Sequence, residues 1–398
     1  MKRQASLGIL FLVVFVDLLG FGMVIPVMPI YAEHLGASEA ATGWLSTGYS
    51  LMQFVFAPVW GRLSDRVGRR PVLLVSIAMT AVAFLLYGVA STFAVLLVSR
   101  LFAGAATANI AIAQAYVADV TPPEGRAKGM GMIGAAFGLG FVFGPAVGGL
   151  LAGYSLSAPG LAAAALSAVN LVGAWFLLPE PAQHVAATRT RGRFQALLDE
   201  LKKPGVRRVL FIYFVVTLAF SAMEATYAFL ALLHFGLAER HVGWVFAYIG
   251  VIVVIVQGGL IGPLTRRFGE KRLLVVGTLL QGGALAALPF AQGVPGLLLA
   301  TAPLAFGSGL SSPSMMSLLS RFSRAEDQGG TLGIGQSAAA LGRIVGPLSG
   351  TTSFAAWNAA PYLGGAAFMA MGAAVAATVS VPEKGGDGPP RGAVTSAS

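Results

Sequence analysis

Gly61-Arg-Leu-Ser-Asp-Arg-Val-Gly-Arg-Arg-Pro71 places four arginines and an aspartate between two apolar stretches, and Gly262-Pro-Leu-Thr-Arg-Arg-Phe-Gly-Glu-Lys-Arg272 repeats its outline 201 residues later. Gly144-Pro145 returns as Gly346-Pro347, offset by 202. Two features at nearly one offset argue for duplicated halves. A membrane-spanning helix needs about 20 mostly apolar residues. Working outward from the islands, twelve such runs are found, at roughly 7–31, 41–61, 71–90, 93–118, 127–153, 158–178, 208–234, 240–263, 273–291, 295–320, 329–352 and 358–381. The expected fold is all-α and integral to a membrane: twelve transmembrane helices in two pseudo-symmetric six-helix bundles. Residues 1–180 make the first bundle, 181–206 a cytoplasmic linker, 207–382 the second bundle, and 383–398 a disordered cytoplasmic tail rich in Gly, Pro and Ser. Phe194–Lys203 in the linker reads as a short amphipathic helix on the inner surface.

Composition points the same way. The chain is 56% hydrophobic and only 11% charged, whereas a soluble domain carries roughly 25% charged residues. Its polar residues are too few to cover an aqueous core of this size, so lipid is the solvent. The net charge of +10 would suggest nucleic acid in a soluble protein. Here the bases sit in short breaks between apolar runs and no nucleic-acid partner is expected. With both termini cytoplasmic, 23 of the 26 Lys and Arg fall on that side, as the positive-inside rule requires. Arg240 lies in an external loop, and Arg100 and Arg343 lie within runs. Met1-Lys2-Arg3 ahead of an apolar run mimics a signal peptide, but the run is long and holds Asp17, so it reads as the first span. The expected location is the inner (cytoplasmic) cell membrane, as a monomer. Cysteine is absent, which excludes disulfides and thiolate metal sites. The four histidines (His34, His184, His234 and His241) lack metal-ligand spacing, so neither metal nor organic cofactor is expected.

Further motifs carry a family resemblance. Gly61–Pro71 resembles the signature loop between helices 2 and 3 of the major facilitator superfamily. Arg100-Leu-Phe-Ala-Gly104 through Asp119 resembles its helix 4 motif. Gly134-Ala-Ala-Phe-Gly-Leu-Gly-Phe-Val-Phe-Gly-Pro-Ala-Val-Gly-Gly149 resembles the helix 5 motif of its drug:proton antiporters. Asp17-Leu-Leu-Gly-Phe-Gly-Met-Val-Ile-Pro-Val-Met-Pro29 and Leu51-Met-Gln-Phe-Val-Phe-Ala-Pro58 resemble the tetracycline-efflux branch. In one respect the chain departs from that branch. Tetracycline exporters carry an acid in helix 3 where this chain has Ala83, so tetracycline itself is not the expected substrate.

The loop motif has its own physical reading. Gly61 and Gly68 permit tight turns and close helix contact. Asp65 is placed to face a helix N-terminus of the other half, where a carboxylate is favoured. Arg66, Arg69 and Arg70 are available to Asp65 or to Asp119. Together they read as a cytoplasmic latch for the outward-open state, with a solvated orientation signal as the alternative. The second copy has Arg266 in place of Asp65, so the latch should be asymmetric. In the helix 5 motif Gly140, Gly144 and Gly148 form one smooth stripe that admits another helix, and Pro145 favours a kink. By resemblance this motif seals one side of the pathway; ordinary small-residue packing is the alternative.

Ionisable residues inside hydrocarbon are the sharpest signal, since each costs about 2.5–3.5 kcal/mol at the bilayer centre on insertion scales. Two acids, Asp17 and Glu224, and two bases, Arg100 and Arg343, lie well inside runs. Asp17 and Glu224 are the candidate proton carriers, with Arg100 and Arg343 as charge partners; static structural pairs are the alternative. Gln53, Asn109, Gln114, Tyr227, Tyr248, Gln257 and Gln336 are candidates to line a substrate cavity. Phe220, Tyr227 and Phe229 could stack on a planar or cationic ligand. No ATP-binding loop and no catalytic constellation is present, so an enzyme is not expected. The reading is a secondary active exporter of small amphipathic organic compounds, with the proton as coupling ion. A proton-linked importer, a uniporter or a lipid translocator on the same fold are the alternatives, and a non-transporting receptor would not need the deep acids.

Overall fold

The computed structural model describes residues 2–107, 109–121, 123–181, 202–237, 239–322 and 328–380. Most of the linker, nearly all of its expected surface helix, and the tail lie outside them. Among the described residues all regular structure is helical. The first half contains α1 (Lys2–Val24), α2 (Met28–His34), α3 (Glu39–Val67), α4 (Arg69–Gly88), α5 (Phe93–Ala106), α6 (Asn109–Val120), α7 (Pro123–Ala152) and α8 (Ala158–Leu177). The second contains α9 (Pro204–Phe235), α10 (Glu239–Ile255), α11 (Ile261–Phe268), α12 (Glu270–Ala287), α13 (Gly293–Arg321), α14 (Gln328–Ala356) and α15 (Ala360–Ala377). Every apolar run is therefore helical. Eight described stretches also meet the length and hydropathy of a membrane span. Of the other four runs, those at 41–61 and 329–352 are diluted by glycine and polar side chains, that at 93–118 is broken at Ala106, and that at 127–153 is described only in part at the level of its side chains.

Three runs read as continuous are interrupted. The first breaks between α1 and α2, and the eighth passes through a π-helical segment, Val256–Leu260, before α11. The fourth stops at Ala106 and resumes at Asn109, with Thr107 extended at φ −72° and ψ 95°. Neither Pro nor Gly causes that break. Other helices satisfy the carbonyls it frees: Trp60 Nε1 donates to Ala105 O at 2.6 Å and Ser76 Oγ to Ala106 O at 2.6 Å. Such repair is what allows a helix to open at membrane depth.

The duplication is structural. Gly68 and Gly269 stand at the same turn in the two halves with φ of 111° and 76°, a region that disfavours any side chain. The Gly140, Gly144, Gly148 stripe lies on α1, against Leu18, Gly22 and Met23. Gly342, Gly346 and Gly350 on α14 lie in the same way on α9, against Leu218, Ser221 and Ala222. Each stripe sets a long helix directly on its neighbour's backbone, the close packing that small residues permit inside a membrane.

The halves join at the end away from the basic islands. Thr47 Oγ1 donates to Ile344 O at 2.8 Å, and Thr351 Oγ1 to Ala40 O at 3.2 Å. Gly43 of α3 lies on Pro347 and Leu348 of α14, and Gly243 of α10 on Pro145 and Gly149 of α7. Toward the basic end the halves part. Val55, Val59 and Leu63 of α3 and Leu341 and Val345 of α14 are exposed. A Cβ on Gly61, Gly258, Gly262 or Gly333 would touch nothing within 4 Å. Gly61 therefore makes no close helix contact here; it sits inside α3 on an uncovered face, because that end of the interface is open.

Candidate functional site

Four helices of the first half converge on a buried polar cluster. α1 contributes Asp17, 8% exposed; α3 contributes Tyr49; α5 contributes Arg100, 2% exposed; and α6 begins with the fully buried Asn109. Asn109 is the polar neighbour of the Asp17 carboxyl. The two approach without closing a bond: Asp17 Oδ1 and both amide atoms of Asn109 lack a hydrogen-bond partner among the described residues. Among the described residues Arg100 forms no ion pair with Asp17, the pairing weighed as the static alternative. Its guanidinium lies 5.7 Å from the Tyr49 ring centroid, 5.8 Å from Phe84 and 5.5 Å from Tyr87. Helical azimuth, which the position along a run does not give, turns Arg100 into this aromatic cage. A cation over such faces gains about 2 kcal/mol or more per ring when desolvated, a partial substitute for a carboxylate. Arg100 Nε and Nη2 still have no hydrogen-bond acceptor among the described residues.

Tyr49 connects this cluster to the second half, and the sequence reading missed it. Its hydroxyl lies 3.1 Å from Thr107 Oγ1 at the helix break, and Thr107 Oγ1 in turn donates to Ala103 O at 2.7 Å. Its ring packs on Phe21 at 5.2 Å. Asp17, Arg100 and Arg343 are all electrostatic neighbours of this one side chain. Arg343 of α14 is also the electrostatic neighbour of Glu224 on α9. A line of polar groups, Asp17, Tyr49, Arg343 and Glu224, thus crosses the interface between the halves. Tyr49, Arg343 and Glu224 are each partly exposed, whereas Arg100 and Asn109 are sealed.

The expected cavity residues divide. Gln53 is half-buried and Gln114, Gln257 and Gln336 are exposed. Tyr248 reaches from α10 toward Leu298 O of α13 at 3.5 Å. Tyr227 does not line a cavity: it is fully buried in the core of the second half, edge-on to Phe246 at 5.3 Å. Phe229 packs on Phe354 at 6.0 Å. The expected aromatic stack beside Glu224 is therefore reduced to Phe220. α9 is apolar all round, so its sequence could not say which face points inward.

At the basic end Arg69 organises the loop motif. It contacts Asp65 at 2.7 Å, Asp119 at 2.9 Å and Ser64 Oγ at 2.6 Å, all within the first half. Arg70 instead donates to the Trp175 carbonyl and lies 5.9 Å from its ring. Glu180, not singled out from sequence, caps α4 by accepting from the Arg69 and Arg70 amides at 2.7 and 3.0 Å. The second half holds the mirror pair with its charges exchanged: Glu270, at the position of Arg69, meets Arg321, at the position of Asp119, at 2.5 Å. Arg66 is exposed.

Two bundles built on one plan, joined at one end around buried charges, define a transporter fold. The profile of the Major Facilitator Superfamily matches residues 10–260 and 209–397, and the chain belongs to that superfamily. It is a membrane transporter of small molecules and not an enzyme. The tetracycline resistance protein, class C, of Escherichia coli is 33% identical over 381 residues, 92% of this chain and 95% of that one. Multidrug resistance protein 2 of Bacillus subtilis (strain 168) is 29% identical over 351 residues, 86% of each. The human organic anion transporter MFSD10 (TETRAN) superposes with a TM-score of 0.71 at 25% identity, covering 94% of this chain and 99% of that one. A bacterial homologue of the human lysosomal transporter Spinster, inward-facing, superposes at 0.75 with 14% identity, over 94% and 96%, a likeness of fold alone. The resemblance read from the motifs holds.

Proposed function

We propose that the chain is a proton-coupled exporter of small amphipathic organic compounds, acting as a monomer in the cytoplasmic membrane with twelve spans and both termini in the cytoplasm. The observation that carries this reading is the line Asp17–Tyr49–Arg343–Glu224, which places one acid in each half and two shared groups between them. Water exclusion favours the protonated form of a carboxyl, and a neighbouring arginine favours the ionised form. Rocking the halves changes the access of water to both acids, so each can take a proton in one state and lose it in the other. The relatives named for tetracycline and multidrug resistance support export as the direction.

Charge decides how substrate and proton interact. With both acids ionised the four central charges cancel, and a cationic or neutral compound competes with protons, which is antiport. With both protonated, Arg100 and Arg343 leave the site positive and an organic anion binds together with protons, which is symport and runs as uptake under an inward proton gradient. The 25% identical organic anion transporter supports the second substrate class. The test is a panel of cationic, neutral and anionic compounds against cells lacking their own efflux pumps. Wild-type protein should lower accumulation of at least one class, and the Asp17→Asn/Glu224→Gln double variant should not. Equal accumulation with and without the protein across all three classes would refute export.

A further inference from the structure

On the outer face of the second half, α12 carries Arg272, Val276, Leu279, Gly283 and Ala287, a single stripe at helical spacing. The opposite face of α12, including Leu273, Leu274, Thr278 and Gln281, is buried. A groove of about 530 Å³ runs beside the stripe at its basic end, lined by Phe268, Val275, Val276, Phe306 and Leu310 together with the bases Lys271 and Arg272. A second groove of about 450 Å³ continues from Val276 along the same seam between α12 and α13. A Cβ on Gly283 would meet nothing within 4 Å, which leaves the floor open.

We propose that this seam is a specific seat for an anionic phospholipid, with its phosphate on Lys271 and Arg272 and an acyl chain in the groove. Charge complementarity selects the headgroup. Arg266, Arg267, Lys271 and Arg272 crowd seven residues of chain. The one acid among them, Glu270, is held by Arg321 at 2.5 Å and by Ser317 Oγ at 3.2 Å. Lys271 and Arg272 are therefore left facing outward without a protein acid among the described residues. Arg267 lies 5.3 Å from the ring of Phe268, a groove-lining residue, which adds a third cation nearby. Geometry selects a lipid over a soluble phosphate: the walls below the bases are exposed apolar side chains, Val276 at 48% and Phe268 at 41%. Basic pockets between spans at the inner surface bind anionic headgroups by the same physics. Lipid bound here would rest on the α11–α12 turn, whose Gly269 is the counterpart of Gly68 in the latch.

The test uses the purified full-length protein titrated with dioleoylphosphatidylglycerol or dioleoylphosphatidylcholine in maltoside micelles, with bound lipid counted by native mass spectrometry. Wild type should retain the glycerol lipid in preference to the choline lipid. Lys271→Gln/Arg272→Gln should weaken that binding about tenfold or more, Lys202→Gln/Lys203→Gln should leave it unchanged, and Lys271→Arg/Arg272→Lys should retain it. Val276→Trp keeps every charge but fills the groove, and it should also lower retention, which decides the matter if the glutamine variant fails to fold. Equal retention of the two lipids, equal loss in the Lys202/Lys203 control, full retention in Val276→Trp, or displacement by inorganic phosphate as effective as by whole lipid would each overturn the proposal.

Discussion

Gly43→Val acts on one state of the transporter and spares the other. A Cβ at Gly43 would stand 2.9 Å from both Leu348 Cα and Pro347 O, and closer still to Thr351 Oγ1. Two of those contacts are backbone of α14 and cannot rotate away. Overpacking of this kind costs about 1–3 kcal/mol. The cost falls where α3 and α14 touch, and it vanishes when the halves separate at that end during alternating access. A differential of about 1–3 kcal/mol shifts a two-state equilibrium by about 5- to 150-fold, so the externally open population should rise by that factor. The chain has no cysteine, so His34→Cys at the exposed end of α2 and Asn358→Cys on the exposed turn between α14 and α15 give a spin-label pair without background mutations. Pulsed electron resonance distances should gain a longer component in the Gly43→Val background. A distribution identical to the parent, in a protein that elutes and melts as the parent does, would refute the claim that this contact closes the pathway.

Three further outcomes follow from the same geometry. Gly148→Val pushes a side chain into the Met23 carbonyl, and should lower the melting temperature of purified protein by several degrees, while Gly173→Val, which faces open space, should not. Tyr49→Phe keeps the ring over Arg100 but removes the hydroxyl at Thr107, a loss of about 0.5–1.5 kcal/mol. It should leave folding intact while slowing gradient-driven transport more than substrate exchange, measured side by side in proteoliposomes. Because Ala83 is fully buried and the span carrying it has no acid, expression in a sensitive host should raise the tetracycline inhibitory concentration less than twofold, and robust tetracycline resistance would contradict the reading.

The plan of the molecule was legible because it is written in hydropathy and repetition. Twelve apolar runs, the bases collected at one end, and a motif repeated at an offset near 201 suffice for two helical halves. The second glycine stripe, Gly342, Gly346 and Gly350, was equally legible at an offset of 202 from the first. The site was legible only in its charges. Asp17, Glu224, Arg100 and Arg343 announce themselves because hydrocarbon penalises them, but their partners depend on azimuth and on contacts between distant segments. Thus Arg100 faces aromatic rings instead of Asp17, and Tyr227 turns into the core. Tyr49 looks like any tyrosine in an apolar run until α3 is set against α14. The break at Thr107 has no glycine or proline to mark it, since Trp60 and Ser76 supply its hydrogen bonds from other helices.

The central claim is that Asp17 and Glu224 together carry the coupling proton across the line through Tyr49 and Arg343. It is tested most directly by uphill substrate transport in proteoliposomes with an imposed pH gradient, comparing wild type, Asp17→Asn, Glu224→Gln and the double variant. Each single variant should lose most gradient-driven transport, at least one should still exchange substrate without a gradient, and the double variant should accumulate none. Uphill transport by the double variant at the wild-type rate would contradict the account.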